Sequence, residues 1–376
     1  MKHTTERQHY IDNLRFFCTA MLIPYHAAMA WNCWGEGNYI ILGSSKIFSS
    51  FIVAVSPWYM TLLFVLAGMS AKYSVQKRTV KQFIKERVYR LFIPFVTATV
   101  TVVPVLTFIA DKTNCGYSGG FMNHYSVFFT KITDITGYDG GFSIGHLWFV
   151  LCLFIISLLS LIMIPIVNKC FSKRIFEKVS VLAVILLFIL SMLTTPLKLA
   201  GKSIVSYLLF YLLGYCILSE EKIMEKLVKY KYIYLSVWLI SSFLNVYLFL
   251  WSNVNMDTLN TMFMYLSGCF GILTFLSFGK DMLNHTDKIM SKLSADSFFV
   301  YIFHFIYVVV FEYVFSSVIN NDSVIFILTV LCSFVLTLLT CEIVKVIPII
   351  HSLFGMKKIK ECQFNYEDDN ERIFTY

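Results

Sequence analysis

Long apolar segments separated by short polar ones recur along the whole chain. Apolar windows close to the ~20 residues that a helix needs to cross a bilayer lie at about 13–31, 48–71, 91–110, 146–167, 179–197, 203–218, 232–251, 258–278, 296–315 and 324–350. This pattern predicts an all-α, polytopic membrane bundle of about 10 transmembrane helices. We expect one transmembrane domain over residues 1–355 and a charged cytoplasmic tail over 356–376.

Lysine and arginine are concentrated in every second connecting segment. With ten spans, 24 of these residues fall on the side that carries both chain ends, and five fall on the opposite side. Because basic loops remain in the cytoplasm, we expect both ends to be cytoplasmic and the cell (cytoplasmic) membrane to be crossed several times. The formal net charge of +8 therefore indicates orientation, and the expected partner is membrane lipid, not nucleic acid.

The composition agrees with a membrane location. Of the 376 residues, 57% are hydrophobic and 14% are charged, whereas soluble domains carry about 25% charged residues. The ten cysteines include no C-x-x-C pair, so they are interpreted as small buried hydrophobic side chains, and no metal site is predicted. Cys33 and Cys115 lie on the same predicted outer side of the membrane. A disulfide between these two residues is therefore the alternative to unpaired side chains.

Two polar residues stand out in the first apolar window. Eleven residues separate Arg15 from His26, a step of three full helical turns plus about 20°, so both lie on one face about 16 Å apart along the axis. Lipid would penalise both, which favours a face turned toward a cavity or a helix interface. In the alternative interpretation, Arg15 extends to lipid headgroups and His26 is bonded within the bundle. Asp12, one turn before Arg15, is expected to pair with it.

A second basic site is predicted at the inner end of the third window. Arg87 and Arg90 are three residues apart and share a helical face. Guanidinium groups at this position suit phosphate recognition. An anchor that contacts anionic lipid is the alternative, and charge alone favours it.

Further polar residues fall near the outer interface and inside later windows. His146 and Trp148 open the fourth window beside a polar outer loop, 111–145, that could meet a hydrophilic acceptor. His146 is a candidate for contact with that acceptor, and Trp148 is a possible supporting residue, although a tryptophan alone at this position is typical of the aromatic belt. In the ninth window, Ser297, Tyr301 and His304 share a face, and a hydrogen-bonded packing role for His304 is an equal alternative to catalysis. Two intramembrane acids have no assigned role, Glu312 and Glu342.

Several of these motifs, taken in order, resemble a known family. Arg15 with His26, "FVLAGMS", Arg87 and Arg90 followed by "LFIP", "HLWF" and "FFVYIFH" are similar to acyltransferase family 3, a family of multi-span membrane proteins. The likeness covers about residues 10–353, and wording such as "YIDNLR", "GHLWFV" and "CEIVKVIP" is most similar to its glucan-biosynthesis protein C branch.

The resemblance implies O-acyl transfer, such as O-acetylation or succinylation, from cytoplasmic acyl-CoA to a polysaccharide of the bacterial cell envelope. It assigns His26 as the catalytic histidine, Arg15 as its partner, and Arg87 and Arg90 as donor-binding residues. Acyl-CoA is then a co-substrate, no bound cofactor is expected, and the acceptor is an extracytoplasmic carbohydrate. Direct transfer and an acyl-histidine intermediate both stay open. A multi-pass transporter or exporter of a glycan intermediate is the alternative function.

Overall fold

The computed structural model describes residues 8–75, 78–170, 178–194, 203–254 and 256–355, and the regular elements within these ranges are helices. The helices are α1 His9–Met29, α2 Lys46–Val55, α3 Tyr59–Val75, α4 Val80–Arg87, α5 Ile93–Thr101, α6 Val103–Asn114, α7 Phe121–Thr130, α8 Trp148–Cys170, α9 Val181–Leu193, α10 Ile204–Leu213, α11 Glu221–Lys229, α12 Lys231–Val246, α13 Asp257–Met282, α14 Lys288–Ser316, α15 Asp322–Val346 and α16 Pro348–Leu353. The predicted tail, 356–376, lies outside the described residues.

The predicted apolar windows coincide with helices of a membrane bundle. Among the described residues, seven helices are long and apolar enough to cross a bilayer, and α10 with α11, bent by 96°, gives an eighth if the pair is one span. The first window forms the 21-residue α1, whose polar residues lower its mean hydropathy. The fifth forms only the 13-residue α9, which is shorter than the ~20 residues of a full crossing. The count of ten spans and the orientation stay predictions.

The chain divides into two compact units. The first lies within Met1–Glu36, Gly43–Tyr73 and Leu158–Ser297, and the second within Gly37–Leu42, Ser74–Ser157 and Phe298–Tyr376. The prediction of a single transmembrane domain over 1–355 is not tested by this division.

Two glycines let helices of the first unit approach closely. A Cβ added at Gly68 of α3 would lie 1.9 Å from the carbonyl oxygen of Tyr211, and one added at Gly214 would lie 2.2 Å from that of Val65. The two backbones are therefore in mutual contact, as is typical of membrane helix interfaces built on small residues.

Asn13 joins α1 to the segment that follows α13 in the first unit. Its amide nitrogen donates to the carbonyl oxygens of Leu283 and His285 at 2.8 and 2.9 Å, and its side-chain oxygen accepts from the Ser294 hydroxyl at 2.9 Å. Asn13 is 5% exposed. These bonds satisfy carbonyls at the end of a helix, which would otherwise lack partners, and they fix the start of α1.

In the second unit, α14 and α15 are joined by a bond between the Tyr307 and Thr340 hydroxyls. Of the two intramembrane acids, Glu342 forms an ion pair with Lys345, with 2.7 Å between nitrogen and oxygen. Glu312 is buried, with a relative exposure of 1%.

The described cysteines support the interpretation of these residues as unpaired side chains. Cys33 and Cys115 both carry free thiols, and the disulfide alternative stays a prediction. Five other cysteines are free and buried: Cys18, Cys152, Cys216, Cys269 and Cys341.

We expect Gly68→Ala and Gly214→Ala each to destabilise the protein by about 2 kcal/mol or more, because the added methyl group collides with backbone rather than with a movable side chain. Thermal unfolding of the purified protein in detergent measures the effect. Gly120→Ala is the matched control, since an added Cβ there has no neighbour within 4 Å. Equal melting temperatures for Gly68→Ala and Gly120→Ala would contradict the close approach.

Candidate functional site

Arg15 is held in a fixed position on α1. Its guanidinium donates from Nη1 to Asp12 at 2.9 Å and from Nη2 to the Ser70 hydroxyl of α3 at 2.6 Å. Ser70 in turn donates to the carbonyl oxygen of Leu66 at 2.9 Å. The predicted Asp12–Arg15 pair is confirmed. The contact with Ser70 was not predictable from spacing, because it joins residues 55 positions apart.

His26 lies in the last turn of α1 and is partly buried. Pro24 lies inside the helix two residues earlier, and a proline removes one backbone hydrogen bond of the helix at that point. The neighbouring Tyr25 ring meets the His26 ring edge-on, with centroids 5.5 Å apart. Three full turns of helix separate His26 from Arg15, so the two side chains lie about 16 Å apart along the axis and do not touch.

The surroundings of Tyr25 place a helix break beside His26. The Tyr25 hydroxyl is 3.1 Å from the Ser56 hydroxyl, and the Tyr25 ring packs on Tyr59 with centroids 4.9 Å apart. Ser56, Pro57 and Trp58 separate α2 from α3 within one apolar span. Irregular backbone at membrane depth is tolerated where it is enclosed by protein or lines a cavity. The catalytic candidate therefore adjoins a segment of that kind.

A basic cluster forms at the predicted inner end of the second unit. Glu86 bridges two arginines, with Arg78 at 2.5 Å and Arg90 at 3.1 Å, and Arg87 lies over the Phe83 ring, 4.6 Å from its centroid. A π-helical turn at Val88–Phe92 contains Arg90. Such turns are frequent at functional sites. The sequence predicted Arg87 and Arg90 here, but it missed Arg78 and Glu86.

Three other predicted residues come together inside the second unit. The Tyr301 hydroxyl donates to the His146 carbonyl oxygen, and the His146 and His304 rings lie 5.3 Å apart, edge to face. All three are at most 5% exposed. We call this group the histidine cluster. The Trp148 ring meets the Phe149 ring edge-on, with centroids 6.3 Å apart.

Backbone carbonyls fix the proton positions of both histidines in their neutral form. His146 Nε2 is 3.0 Å from the Ile302 carbonyl oxygen, and His304 Nδ1 is 2.7 Å from that of Tyr301. A carbonyl only accepts, so each of these nitrogens carries the hydrogen. The opposite nitrogen of each ring, His146 Nδ1 and His304 Nε2, then carries the basic lone pair.

A further histidine that spacing did not indicate lies within the predicted outer loop. His124 Nε2 is 3.3 Å from the Asp111 carboxylate, and the His124 side chain is fully buried. Its ring packs against Phe108 and Tyr117, with centroids 5.4 Å away in each case. The pair links the end of α6 to α7 and supports the loop structurally.

The family comparison decides the class of protein. A family model described as an acyltransferase domain matches residues 8–345. The chain belongs to acyltransferase family 3. The acyltransferase has no match among curated proteins or solved structures. Its apolar helices and its family make it a multi-pass membrane protein. Every site residue predicted from the sequence lies within the matched range, and the glucan-biosynthesis branch stays a prediction.

The acyltransferase is expected to lose stability in mild acid through His124. Burial lowers the pKa of His124 from its ordinary 6.5, and the Asp111 carboxylate only partly opposes this. The folded state therefore binds fewer protons than the unfolded state, so this contribution to stability is complete above pH 6.5 and decreases as the pH falls. We expect the melting temperature to drop between about pH 7 and pH 5, and to drop less in His124→Gln.

The exposed His285 supplies the control for that measurement. His285→Gln is expected to keep the full pH dependence of the parent protein. A His124→Gln variant whose melting temperature falls as steeply as that of His285→Gln would remove His124 as the source.

Proposed function

We propose that this membrane acyltransferase moves an acetyl or succinyl group from cytoplasmic acyl-CoA to a hydroxyl group of an extracytoplasmic glycan. The observation that carries the proposal is the polar face of α1, on which Arg15 is anchored by Asp12 and Ser70 and a partly buried His26 follows three turns later. Membership of an acyltransferase family favours acyl transfer over the exporter alternative.

The basic cluster supplies groups that suit the donor. Coenzyme A carries several phosphates at one end, and guanidinium groups bind phosphate oxygens through paired, charge-assisted hydrogen bonds. In the proposal, Arg87 and Arg90 bind these phosphates. Glu86 holds Arg90 and Arg78, so the arginine side chains are ordered before the donor arrives, which reduces the entropy lost on binding.

His26 acts as the general base in this proposal. Imidazole is the side chain whose ordinary pKa lies near physiological pH, so a neutral histidine can accept a proton there. It takes the proton from the attacking hydroxyl as the new carbon–oxygen ester bond forms. The carbon–sulfur bond of the thioester breaks, and the departing thiolate receives the proton from the imidazolium. Prior formation of an acyl-histidine is the second route, and both routes require the same residue.

We expect His26→Ala to reduce acyl transfer by at least about 100-fold, the usual contribution of a general base, while the protein still accumulates in the membrane. Mass spectrometry of acyl esters on the surface glycans of a complemented deletion strain measures the loss. His285→Ala, which removes an exposed imidazole, is the matched control. Normal glycan acylation with His26→Ala would refute the catalytic role of His26.

We expect Arg87→Ala and Arg90→Ala each to weaken acyl-CoA binding by about tenfold, the value of one charge-assisted hydrogen bond. Affinity is measured with purified protein and acetyl-CoA or succinyl-CoA. Lys81→Ala removes an exposed charge from α4, the helix that ends at Arg87, and Arg15→Lys keeps its charge, so both should have smaller effects. Unchanged affinity in both single variants and in the double variant would return the pair to the lipid-anchor interpretation.

A further inference from the structure

A cleft of about 570 Å³ lies in the predicted outer part of the second unit. It is lined by two segments, the loop after α7 and the segment 37–41, together with the end of α6; the residues that bear on its chemistry are Asn38, Asn114, Asp134, Thr136, Tyr138 and Asp139. We call it the outer cleft. Small-molecule sites commonly have volumes of about 300–1,000 Å³, so it is large enough for a sugar residue.

Asn38 offers a polar group to the outer cleft. It is only 4% exposed, and its side-chain oxygen already accepts from the Tyr39 backbone N–H at 2.9 Å. Its amide nitrogen has no hydrogen-bond partner among the residues that the structure describes. This nitrogen can therefore donate to an acceptor on a ligand that enters the cleft.

Two carboxylates add acceptors at the same place. Hydrogen bonds from the Thr136 hydroxyl and backbone N–H lower the pKa of Asp134. Burial raises the pKa of Asp139, but hydrogen bonds from Gly141, Lys131 and Thr133 outweigh it, so the net shift is downward. Both are therefore ionised at neutral pH. Lys131 pairs with Asp139, and the carboxylates favour hydroxyl or ammonium donors and repel anionic ligands.

Tyr138 supplies an aromatic surface whose position is fixed. Its ring meets the Tyr39 ring edge-on at 5.1 Å, and it lies so close to Gly37 that a Cβ there would be 2.9 Å from the ring. The Asn114 amide donates to the carbonyl oxygens of Asn38 and Tyr138 at 3.0 and 2.9 Å. The cleft thus combines an aromatic ring with carboxylates that accept hydrogen bonds from hydroxyl groups and with an amide donor. This combination matches a sugar ring, which has an apolar face and a polar rim of hydroxyl groups.

Side-chain packing connects the outer cleft to the histidine cluster within the same unit. Tyr39, which supports Tyr138, packs on Phe305 with centroids 5.4 Å apart. Phe305 in turn packs on His146 at the same distance and on His304 at 6.1 Å. The Tyr39 hydroxyl also donates to the Thr136 carbonyl oxygen at 3.2 Å. Only two side chains, Tyr39 and Phe305, separate the Tyr138 ring from the buried imidazoles.

We propose that the outer cleft binds the acceptor glycan through a neutral or amino-bearing sugar residue, with Tyr138 under the sugar ring and Asp134 and Asn38 on its hydroxyl groups. This inference rests on the proposed function, because it names where and by which chemistry the acceptor is held. It also selects against acidic glycans, since the carboxylates of the cleft would face those of the ligand.

Binding without any acyl donor tests the inference. The full chain, in lipid nanodiscs, is titrated with three oligosaccharides of equal length that contain glucose, glucosamine or glucuronic acid, and binding is followed by saturation-transfer NMR. Glucose or glucosamine oligomers are expected to bind, and Tyr138→Ala or Asp134→Asn is expected to weaken them at least about tenfold, which is about 1.4 kcal/mol. Tyr138→Phe, which keeps the ring, is expected to bind more tightly than Tyr138→Ala, and Asp322→Asn, which changes an exposed acid elsewhere, is expected to bind like the parent protein.

Other outcomes overturn the inference. Tightest binding of the glucuronic acid oligomer, or equal binding of the glucose and glucosamine oligomers by the parent protein and Tyr138→Ala, would show that the outer cleft does not hold the acceptor. Donor thioester hydrolysis, measured without glycan, separates this result from failure of the proposed function. If thioester hydrolysis is unchanged and the cleft variants bind glycan as tightly as the parent protein does, the outer cleft is not the acceptor site but the proposed function stands. If the parent protein transfers no acyl group to any glycan, the proposed function itself is wrong.

Discussion

Lipid offers no hydrogen bonds, so each polar side chain within a membrane helix has to find its partners inside the protein. In α1 this requirement determines where the helix lies. Asn13 is bonded to Leu283, His285 and Ser294, while Arg15 is bonded to Asp12 and Ser70. These contacts hold the first turns of α1 against two other parts of the first unit. Because a helix is stiff over three turns, fixing its start also fixes the position of a histidine near its end. The polar residues that make α1 less apolar than its neighbours are thus the ones that position the catalytic candidate.

The same requirement explains the arrangement of the histidine cluster. Both imidazoles are buried, and each uses one nitrogen to satisfy a carbonyl oxygen of α14. The Tyr301 hydroxyl does the same for the His146 carbonyl. A side chain bound in this way keeps a defined tautomer and ring orientation, which serves a packing role and a role in acceptor positioning equally well. Packing through Phe305 and Tyr39 toward the outer cleft favours the second role.

Local periodicity was enough to find the helices and some of the site. Every apolar window contains a helix in its described part, since a run of apolar residues and the helical repeat are both local properties. The Asp12–Arg15 pair and the shared face of Tyr301 and His304 follow from the same repeat. What could not be predicted depends on contacts that the helical repeat does not set: the bond from Arg15 to Ser70, the His124–Asp111 pair and the outer cleft, where the segment 37–41 meets parts of the chain about 75 or more residues later. The break at residues 56–58 was missed for a different reason, because apolar residues continue through it on both sides.

The carboxylate of Glu86 bears on the choice between a lipid anchor and a phosphate site. An anchor for anionic lipid gains only from positive charge, so an acid placed among its arginines would weaken it. A site that is alternately empty and filled requires a counter-ion when it is empty, because arginines close together without one repel one another. Glu86 contacts Arg78 and Arg90 at once, and Arg87 lies over the Phe83 ring. The cluster therefore keeps its geometry when no polyanion is bound and retains a net positive charge for one that arrives, which fits reversible binding of a donor better than permanent contact with lipid.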